Sequence, residues 1–239
     1  MPTLSITCIE TRAIAQAITA IERTLACAEF KKIYWISTKA LPKRLQGVEV
    51  VNLLINDFKD FAGDVNQLCL QIIPKIVTTD FNLMIQVDGF AVNRDAWSDE
   101  FWKYDYIGAP WPWMWGGGPP WNGPIVGNGG FSLRSRKLYS ALNDICIDWR
   151  SDHLARDPRS SQREYYGILP SGAHFIPEDL LICLWYRDIL ERRYGIRFCG
   201  PDLASQFSVE TVHPSMNKWL GKSFGFHGIC AAPYYGIKL

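Results

Sequence analysis

Residues 82–89 read Asn-Leu-Met-Ile-Gln-Val-Asp-Gly, an apolar run that ends at a polar turn pair. Such a run predicts a strand buried inside a sheet. In open α/β sheets ligands bind outside the carboxyl ends of the strands, so Gln86 and Asp88 are candidates for ligand binding. A carboxylate at that point suits a divalent cation that bridges phosphate oxygens. Taken alone, Asp88-Gly89 is better explained as a plain turn, because Asp-Gly is a common turn pair.

Strands and helices alternate on the N-terminal side of this run. Residues 12–28 and 64–77 have the apolar spacing of helices, and Pro74 predicts a kink or an end in the second. Three apolar, β-branched stretches predict strands. This alternation predicts an α/β fold with a mixed, mainly parallel sheet flanked by helices. The three predicted strands are Leu4–Ile9, Lys32–Ser37 and Val48–Leu54.

The C-terminal side of the chain has a different character. Residues 105–130 are crowded with Gly, Pro and Trp, which predicts irregular structure built on aromatic side chains. Residues 135–149 and 178–194 have helical spacing, and a polar stretch between them predicts an exposed loop. We expect a single domain over residues 1–239, with an α/β half at 1–100 and an aromatic-rich half at 101–239.

Composition bounds the class of protein. Lys plus Arg is 25 and Asp plus Glu is 24, so the formal net charge of +1 gives no overall basic field for binding nucleic acid. The seven cysteines are odd in number and have no CxxC spacing, which favours reduced thiols. The N-terminus lacks the pattern of a signal peptide, and no apolar run has the length of a membrane span. We therefore expect a cytoplasmic protein with no membrane span.

Two further stretches suit sugars and phosphates. Tyr104–Trp111 continues into a run that contains Trp113, and flat aromatic rings stack on sugars and bases. Gly127–Ser135 is rich in small residues, so its backbone N–H groups, with side chains such as Arg134, can face a phosphate or a hydroxyl. The alternatives are a packed aromatic cluster for the first stretch and a plain glycine-rich bend for the second.

Two short stretches nearer the C-terminus complete the candidates. Pro177–Asp179 opens a predicted helix, where acidic residues serve either as caps or as a general base. Phe224–Gly228 contains His227 in a predicted turn, where a neutral imidazole suits a metal ion. A helix cap and an ordinary loop histidine are the simpler interpretations of these two stretches.

Taken together and in this order, the five stretches resemble a GT-A-type glycosyltransferase. More narrowly, they resemble a poorly characterised glycosyltransferase-like family, whose most specific motifs are Tyr-Asp-Tyr-Ile-Gly-Ala-Pro-Trp and Gly-Asn-Gly-Gly-Phe-Ser-Leu-Arg-Ser. The resemblance implies a GT-A-like, Rossmann-like sheet, with a nucleotide-sugar-binding N-terminal half and an acceptor-binding C-terminal half. The matching stretches are Gln86–Asp88, Tyr104–Trp111, Gly127–Ser135, Pro177–Asp179 and Phe224–Gly228.

The resemblance also implies roles for individual residues. Asp88 and His227 would together hold Mn²⁺ or Mg²⁺, while the amide of Gln86 stands where many GT-A enzymes have a first Asp. Asp179 would be the base that deprotonates the acceptor, with Glu178 orienting the acceptor, or the reverse. The donor-binding residues would be Glu10, Thr11, Arg12, Gln86, Asp88, Gly129 and Gly130, and the acceptor-binding residues would be Trp111, Trp113 and Asn128.

These roles predict a metal-assisted, inverting glycosyltransferase that moves a sugar from a nucleotide-sugar, expected to be a UDP-sugar, to a hydroxyl of a glycan or other acceptor. One alternative is a glycan- or nucleotide-binding module without turnover, which the neutral Gln86 favours. Another is a viral-type glycosyltransferase that modifies nucleic acid through a local arginine patch. These arginines alternate with acidic residues, which favours a solvated loop. They are Arg150, Arg156, Arg159 and Arg163.

Overall fold

A computed structural model describes residues 1–42, 45, 47–59, 61–111, 125–149, 176–213 and 217–239. The strands in this part of the chain are β1 (Leu4–Ile9), β2 (Lys32–Ser37), β3 (Glu49–Leu54), β4 (Phe81–Ile85), β5 (Gly89–Ala91), β6 (Tyr106–Ile107), β7 (Pro110–Trp111), β8 (Ile125–Val126), β9 (Ser132–Ser135), β10 (Ser208–Val209) and β11 (Gly225–His227).

Six of these strands form the central sheet, in the order β3-β2-β1-β4-β9-β6. The first four run parallel to one another, and β9 is antiparallel to both of its neighbours. Strands β1, β2 and β4 are buried over nearly their whole length, as expected for parallel strands covered on both faces. The prediction of an α/β fold with a mixed, mainly parallel sheet flanked by helices is therefore confirmed.

Two of the predicted helices are less regular than expected. In the first, a π-helical turn at Leu68–Ile72 separates two α-helical segments, and Pro74 lies in the opening turn of the second segment. This second segment ends at Ile76, two residues after Pro74. A second π-helical turn, Leu181–Trp185, interrupts the helix expected at 178–194. The helices are α1 (Ile14–Cys27), α2 (Phe61–Gln67), α3 (Ile73–Ile76), α4 (Arg136–Ile145), α5 (Glu178–Leu180), α6 (Arg187–Tyr194) and α7 (Pro201–Phe207).

Strand β9 was not expected, because its residues belong to the stretch interpreted as a glycine-rich segment before a helix. It pairs with β4 through Met84 and Ser132, and with β6 through Tyr106 and Arg134. All four residues of β9 are buried. Since Met84 pairs with Ser132, the register carries the glycine-rich turn before β9 towards the carboxyl end of β4.

The hydrophobic core lies on both faces of the sheet. Along β2, Trp35 packs into one cluster, with α1 and a small sheet of order β10-β11-β5, while Tyr34 packs into the other, with α3 to α6. This alternation is the two-residue period of a strand. All seven cysteines are free thiols, and five of them are buried. Within the part of the chain that the structure describes, no helix has the length and apolar character needed to cross a membrane.

Candidate active site

The chain turns sharply after β4, and the turn carries Gln86 and Asp88. The backbone N–H of Gln86 donates to the Gly89 carbonyl at 2.8 Å, and that of Gly89 donates to the Gln86 carbonyl at 3.2 Å. These bonds close a two-residue turn with Val87 and Asp88 at its tip. The Asp88 carbonyl also accepts a hydrogen bond from the Gly228 N–H at 2.8 Å. The turn therefore ties the end of β4 to the residue that follows His227.

His227 is the last residue of β11, at the centre of the small sheet. It pairs with Gly89 of β5 on one side, and on the other side Phe226 pairs with Val209 of β10. The next residue after Val209 is Glu210, so this register brings a carboxylate beside the imidazole. A Cβ at Gly89 would overlap the imidazole ring, which is why glycine is needed for this close approach.

The His227 imidazole contacts four side chains. Its Nε2 atom lies 3.2 Å from Gln86 Oε1 and 3.6 Å from Asp88 Oδ1. Its Nδ1 atom lies 3.0 Å from Glu210 Oε1 and 2.8 Å from Asn128 Nδ2. Burial lowers the pKa of His227, but the hydrogen bond to Glu210 and the charge of Asp88 outweigh burial and raise the pKa above its ordinary value. Asp88 and His227 therefore meet in the structure although they are far apart in the sequence.

The glycine-rich turn before β9 forms the next wall of the site. Asn128 has a φ of 70°, in the left-handed region that asparagine tolerates better than most residues. Its Oδ1 atom accepts a hydrogen bond from the Phe131 N–H at 3.0 Å, which points the amide nitrogen towards His227. The next residue, Gly129, donates its N–H to Asp179 Oδ2 at 2.9 Å. This turn therefore connects the His227 side of the site to the start of α5.

Asp179 and Glu178 both lie in the first turn of α5, in different surroundings. Glu178 is buried, and its Oε1 atom accepts a hydrogen bond at 2.8 Å from the fully buried guanidinium of Arg134. Asp179 keeps some exposed surface and accepts from the N–H groups of Gly129 and Leu180. Burial and the charge of Glu178 raise the pKa of Asp179 to about 7, against the lowering effect of those two bonds. The raised pKa sets Asp179 apart from Glu178, which is held in an ion pair with Arg134.

A cavity of about 620 Å³ opens beside Gln86 and Asp88. Glu10, which follows β1, and Arg23 of α1 contribute to its lining, together with Lys238 near the C-terminus. The volume falls within the range of small-molecule sites, about 300–1,000 Å³. Three of the residues expected to bind the donor, Glu10, Gln86 and Asp88, therefore face one cavity that also contains two cationic side chains.

Two other residues expected to bind the donor have different partners. Thr11 Oγ1 donates to Asp57 Oδ1 at 2.7 Å, and Arg12 Nε lies 3.6 Å from the same oxygen. The Arg12 N–H also donates to Glu10 Oε1 at 2.7 Å. Thr11 and Arg12 are not among the described residues that line the cavity, so their role in donor binding stays a prediction.

Trp111 is buried, with 8% of its surface exposed. Its ring fills the space that a Cβ at Gly127 would need, and its indole Nε1 donates to Glu210 Oε2 at 2.7 Å. Trp111 therefore forms part of the wall beside His227 rather than an open stacking surface, and its role in acceptor binding stays a prediction. Trp113 and the arginines considered as a local patch, Arg150, Arg156, Arg159 and Arg163, lie outside the described residues.

The two most specific sequence motifs pack against each other. The Tyr106 hydroxyl donates to the Asn128 carbonyl at 2.9 Å. A Cβ at Gly108 would overlap the Gly127 carbonyl oxygen, so the two backbones approach each other at glycines. Part of the sequence specificity of these motifs therefore serves to hold the glycine-rich turn in place.

The donor atoms around His227 Nε2 are of types that a divalent cation accepts. In the described ranges, no group of three or more His, Cys, Asp and Glu side chains is arranged to hold a metal ion. Around His227 Nε2, only Asp88 and His227 itself belong to these four residue types, and the amide oxygen of Gln86 is a third donor atom. A Cβ at Gly130 would overlap both Nε2 and Gln86 Oε1, so glycine keeps the space in front of these atoms open. A carboxylate, an amide oxygen and an imidazole are all ligands that Mn²⁺ accepts.

Sequence reasoning did not single out Glu210 and misjudged Arg134. Glu210 directly follows the buried strand β10, and a carboxylate at the end of a strand is the signal that would have found it. Arg134 was considered as a contact for phosphate. It is instead fully buried and paired with Glu178, because its position inside β9 turns the side chain into the core.

Comparison with known proteins gives the family. The sequence profile described as "Protein of unknown function (DUF5672)" matches residues 48–227 of this chain. This protein therefore belongs to that family. No curated protein matches the sequence.

Several proteins of known structure are similar to this chain at low sequence identity. The galactosyltransferase LgtC, solved with donor and acceptor sugar analogues, is 11% identical over 95% of this chain and 88% of its own, with a TM-score of 0.49. A glycosyltransferase involved in glycosylation of the major capsid of PBCV-1 is 10% identical over 98% of this chain and 96% of its own, with a TM-score of 0.48. The glycosyltransferase GlyE of Streptococcus pneumoniae TIGR4 is 13% identical over 85% of this chain, with a TM-score of 0.46, and this chain spans only 46% of GlyE.

Proposed function

We propose that this protein is an inverting glycosyltransferase that moves a sugar from a nucleotide-sugar, with UDP as the nucleotide, to a hydroxyl of a glycan or other acceptor. The observation that carries this proposal is the convergence of three groups at one glycine-rich turn. Asp88 and His227 lie 3.6 Å apart on one side of the turn, and Asp179 is hydrogen-bonded to Gly129 within it. A carboxylate–imidazole pair and a separate base with a near-neutral pKa are the groups that this reaction needs.

The donor would lie in the cavity beside Gln86 and Asp88. Its volume of about 620 Å³ suits a nucleotide-sugar, and Arg23 and Lys238 supply positive charge for a diphosphate. Asp88, His227 and the Gln86 amide oxygen would hold Mn²⁺ or Mg²⁺. When bound, such a cation offsets the negative charge that develops on the leaving diphosphate.

Asp179 would act as the general base. As the acceptor oxygen attacks C1 of the sugar, its proton passes to the Asp179 carboxylate and the bond from C1 to the diphosphate breaks. Glu178 is the poorer candidate for the base, because its carboxylate is buried and paired with Arg134. Glu178 would instead hold the first turn of α5 against β9, which fixes the position of Asp179.

The test is the release of nucleoside diphosphate from a panel of nucleotide-sugars, with Mn²⁺ and a mixture of glycan acceptors. We expect one donor to be consumed, and we expect Asp179→Asn to abolish turnover while its donor affinity stays within about twofold of the wild-type value. The matched control is Glu100→Gln, which should keep full activity. Glu100 is an exposed carboxylate paired with Lys103 at the surface. If Asp179→Asn retains turnover, another residue is the base.

A second candidate function follows from Gln86. Its amide is neutral where a carboxylate would bind a cation more tightly, which favours a glycan- or nucleotide-binding module without turnover. Saturable binding of a nucleotide-sugar, with no diphosphate released for any acceptor, would support this second function and contradict the first.

A further inference from the structure

Glu210 accepts hydrogen bonds from two different parts of the candidate site. Its Oε1 atom lies 3.0 Å from His227 Nδ1, and its Oε2 atom lies 2.7 Å from the indole Nε1 of Trp111. The carboxylate is mostly buried, with 28% of the side chain exposed. An indole nitrogen only donates, so Oε2 is occupied as an acceptor and Oε1 remains for the imidazole.

These contacts decide which way the imidazole faces. Asn128 Nδ2 also lies 2.8 Å from Nδ1, but an ionised carboxylate only accepts hydrogen bonds, so the 3.0 Å contact between Nδ1 and Glu210 Oε1 needs a proton on Nδ1. Nδ1 can therefore carry a proton and donate it to Glu210. This leaves Nε2 pointing at Gln86 Oε1 and Asp88 Oδ1, 3.2 and 3.6 Å away. The two carboxylate oxygens of Glu210 hold Trp111 and His227 at once. A glutamine at this position would offer only one acceptor oxygen.

We propose that Glu210 is a positioning residue that fixes the His227 ring through Nδ1 and the Trp111 indole through Nε1, and so presents His227 Nε2 to the space beside Asp88 and Gln86. The proposal rests on the proposed function in that this space would receive the divalent cation of the donor complex. A carboxylate that orients a metal-binding histidine through its second nitrogen commonly changes metal affinity or activity by about 10–100-fold when it is removed. Glu210 also links Trp111 to His227, because both side chains depend on the same carboxylate.

The first experiment observes the two hydrogen bonds directly, without donor or metal. We expect ¹⁵N NMR of the full chain to show a protonated, hydrogen-bonded His227 Nδ1 and a hydrogen-bonded Trp111 indole N–H. In Glu210→Gln at least one of these signals should shift to the position of a group without its acceptor. His227→Gln and Trp111→Phe assign the two signals. If neither signal moves in Glu210→Gln, Glu210 does not position these rings and the proposal is overturned.

The second experiment measures Mn²⁺ affinity in the presence of UDP by electron paramagnetic resonance. We expect Glu210→Gln to weaken Mn²⁺ binding by about 10–100-fold, Trp111→Phe to weaken it by less, and the surface variant Glu100→Gln to leave it unchanged. A Glu210→Gln affinity within twofold of the wild type, in a folded protein, overturns the proposal. If the wild type itself binds neither UDP nor Mn²⁺, the proposed function fails, and the NMR result alone then decides whether Glu210 positions the two rings.

Discussion

Asp179 is the residue whose environment most directly sets a pH dependence. Burial and the charge of Glu178 raise its pKa from 3.8 to about 7. A general base works only when it is ionised, so we predict that kcat/KM rises as the pH increases through about 7 and then levels off, because Asp179 is protonated below that pH and ionised above it. Initial rates with the cognate donor, measured from about pH 5 to about pH 9, give the profile. A rate that is already constant down to the lowest pH would contradict this assignment.

Glu178 has a structural role that a stability measurement can isolate. Arg134 is fully buried and bonds Glu178 Oε1 at 2.8 Å, so removing the carboxylate leaves a buried charge without its counterion. We predict that Glu178→Ala lowers the free energy of unfolding by about 3–5 kcal/mol in urea. Glu100→Ala is the matched control, because the pair between Glu100 and Lys103 is exposed and should contribute less than about 1 kcal/mol. Equal losses in the two variants would contradict the buried ion pair.

Some of the candidate site residues could be identified from the sequence, and others could not. Four of them lie in short motifs at strand and helix ends, where the residue types indicate a binding or catalytic role. These are Gln86, Asp88, Asp179 and His227. Glu210 also follows a strand but lies in none of the five motifs, and its contact with His227 depends on the register of β10 and β11, which no spacing within the sequence encodes. The distinction between Glu178 and Asp179 likewise depends on which of them meets Arg134, a contact across the core.

The glycine-rich turn is the element on which the site depends most. At Gly130 a Cβ would overlap His227 Nε2 and Gln86 Oε1, and His227 has little freedom to move because Glu210 holds its other nitrogen. We predict that Gly130→Ala displaces the imidazole and lowers Mn²⁺ affinity by at least about tenfold, measured by titration in the presence of UDP.

Gly200→Ala is the control for this change in the glycine-rich turn. Gly200 has no heavy atom within 4 Å of its potential Cβ and precedes α7, so Mn²⁺ affinity should not change. An unchanged Mn²⁺ affinity in Gly130→Ala would mean that the cation does not bind in the space in front of His227 Nε2.

The elements of the parallel half follow closely from the sequence. Strands β1 and β2 have the predicted bounds, and β3 begins one residue later than predicted, because apolar β-branched runs between helices leave few alternatives. The helices differ more from their predictions, because π-helical turns lie at Leu68–Ile72 and Leu181–Trp185. The apolar spacing of these stretches is close to that of an α-helix, so the sequence does not reveal the π-helical turns. Strand β9 was missed because Ser132 and Arg134 have the composition of a surface segment, and pairing on both sides buries them.

At the scale of the whole molecule, the site joins parts of the chain that the sequence separates widely. The end of β4, the glycine-rich turn, the start of α5 and the small sheet all contribute side chains or backbone groups. The cavity beside Asp88 is lined from both halves of the chain, by Glu10 and Arg23 and also by Lys238. We therefore propose that donor binding uses both halves, in keeping with the sequence prediction that Gly129 and Gly130 of the C-terminal half join Glu10, Gln86 and Asp88 at the donor.

The most direct measurement is anomalous diffraction at the manganese edge, from crystals of the full chain grown with UDP and Mn²⁺. We predict a manganese peak in coordination distance of the Asp88 carboxylate and His227 Nε2, with the diphosphate on that ion and the uridine in the cavity beside Glu10. Nucleotide bound elsewhere, or crystals saturated with both ligands that show neither at this position, would contradict a donor site formed by Asp88 and His227.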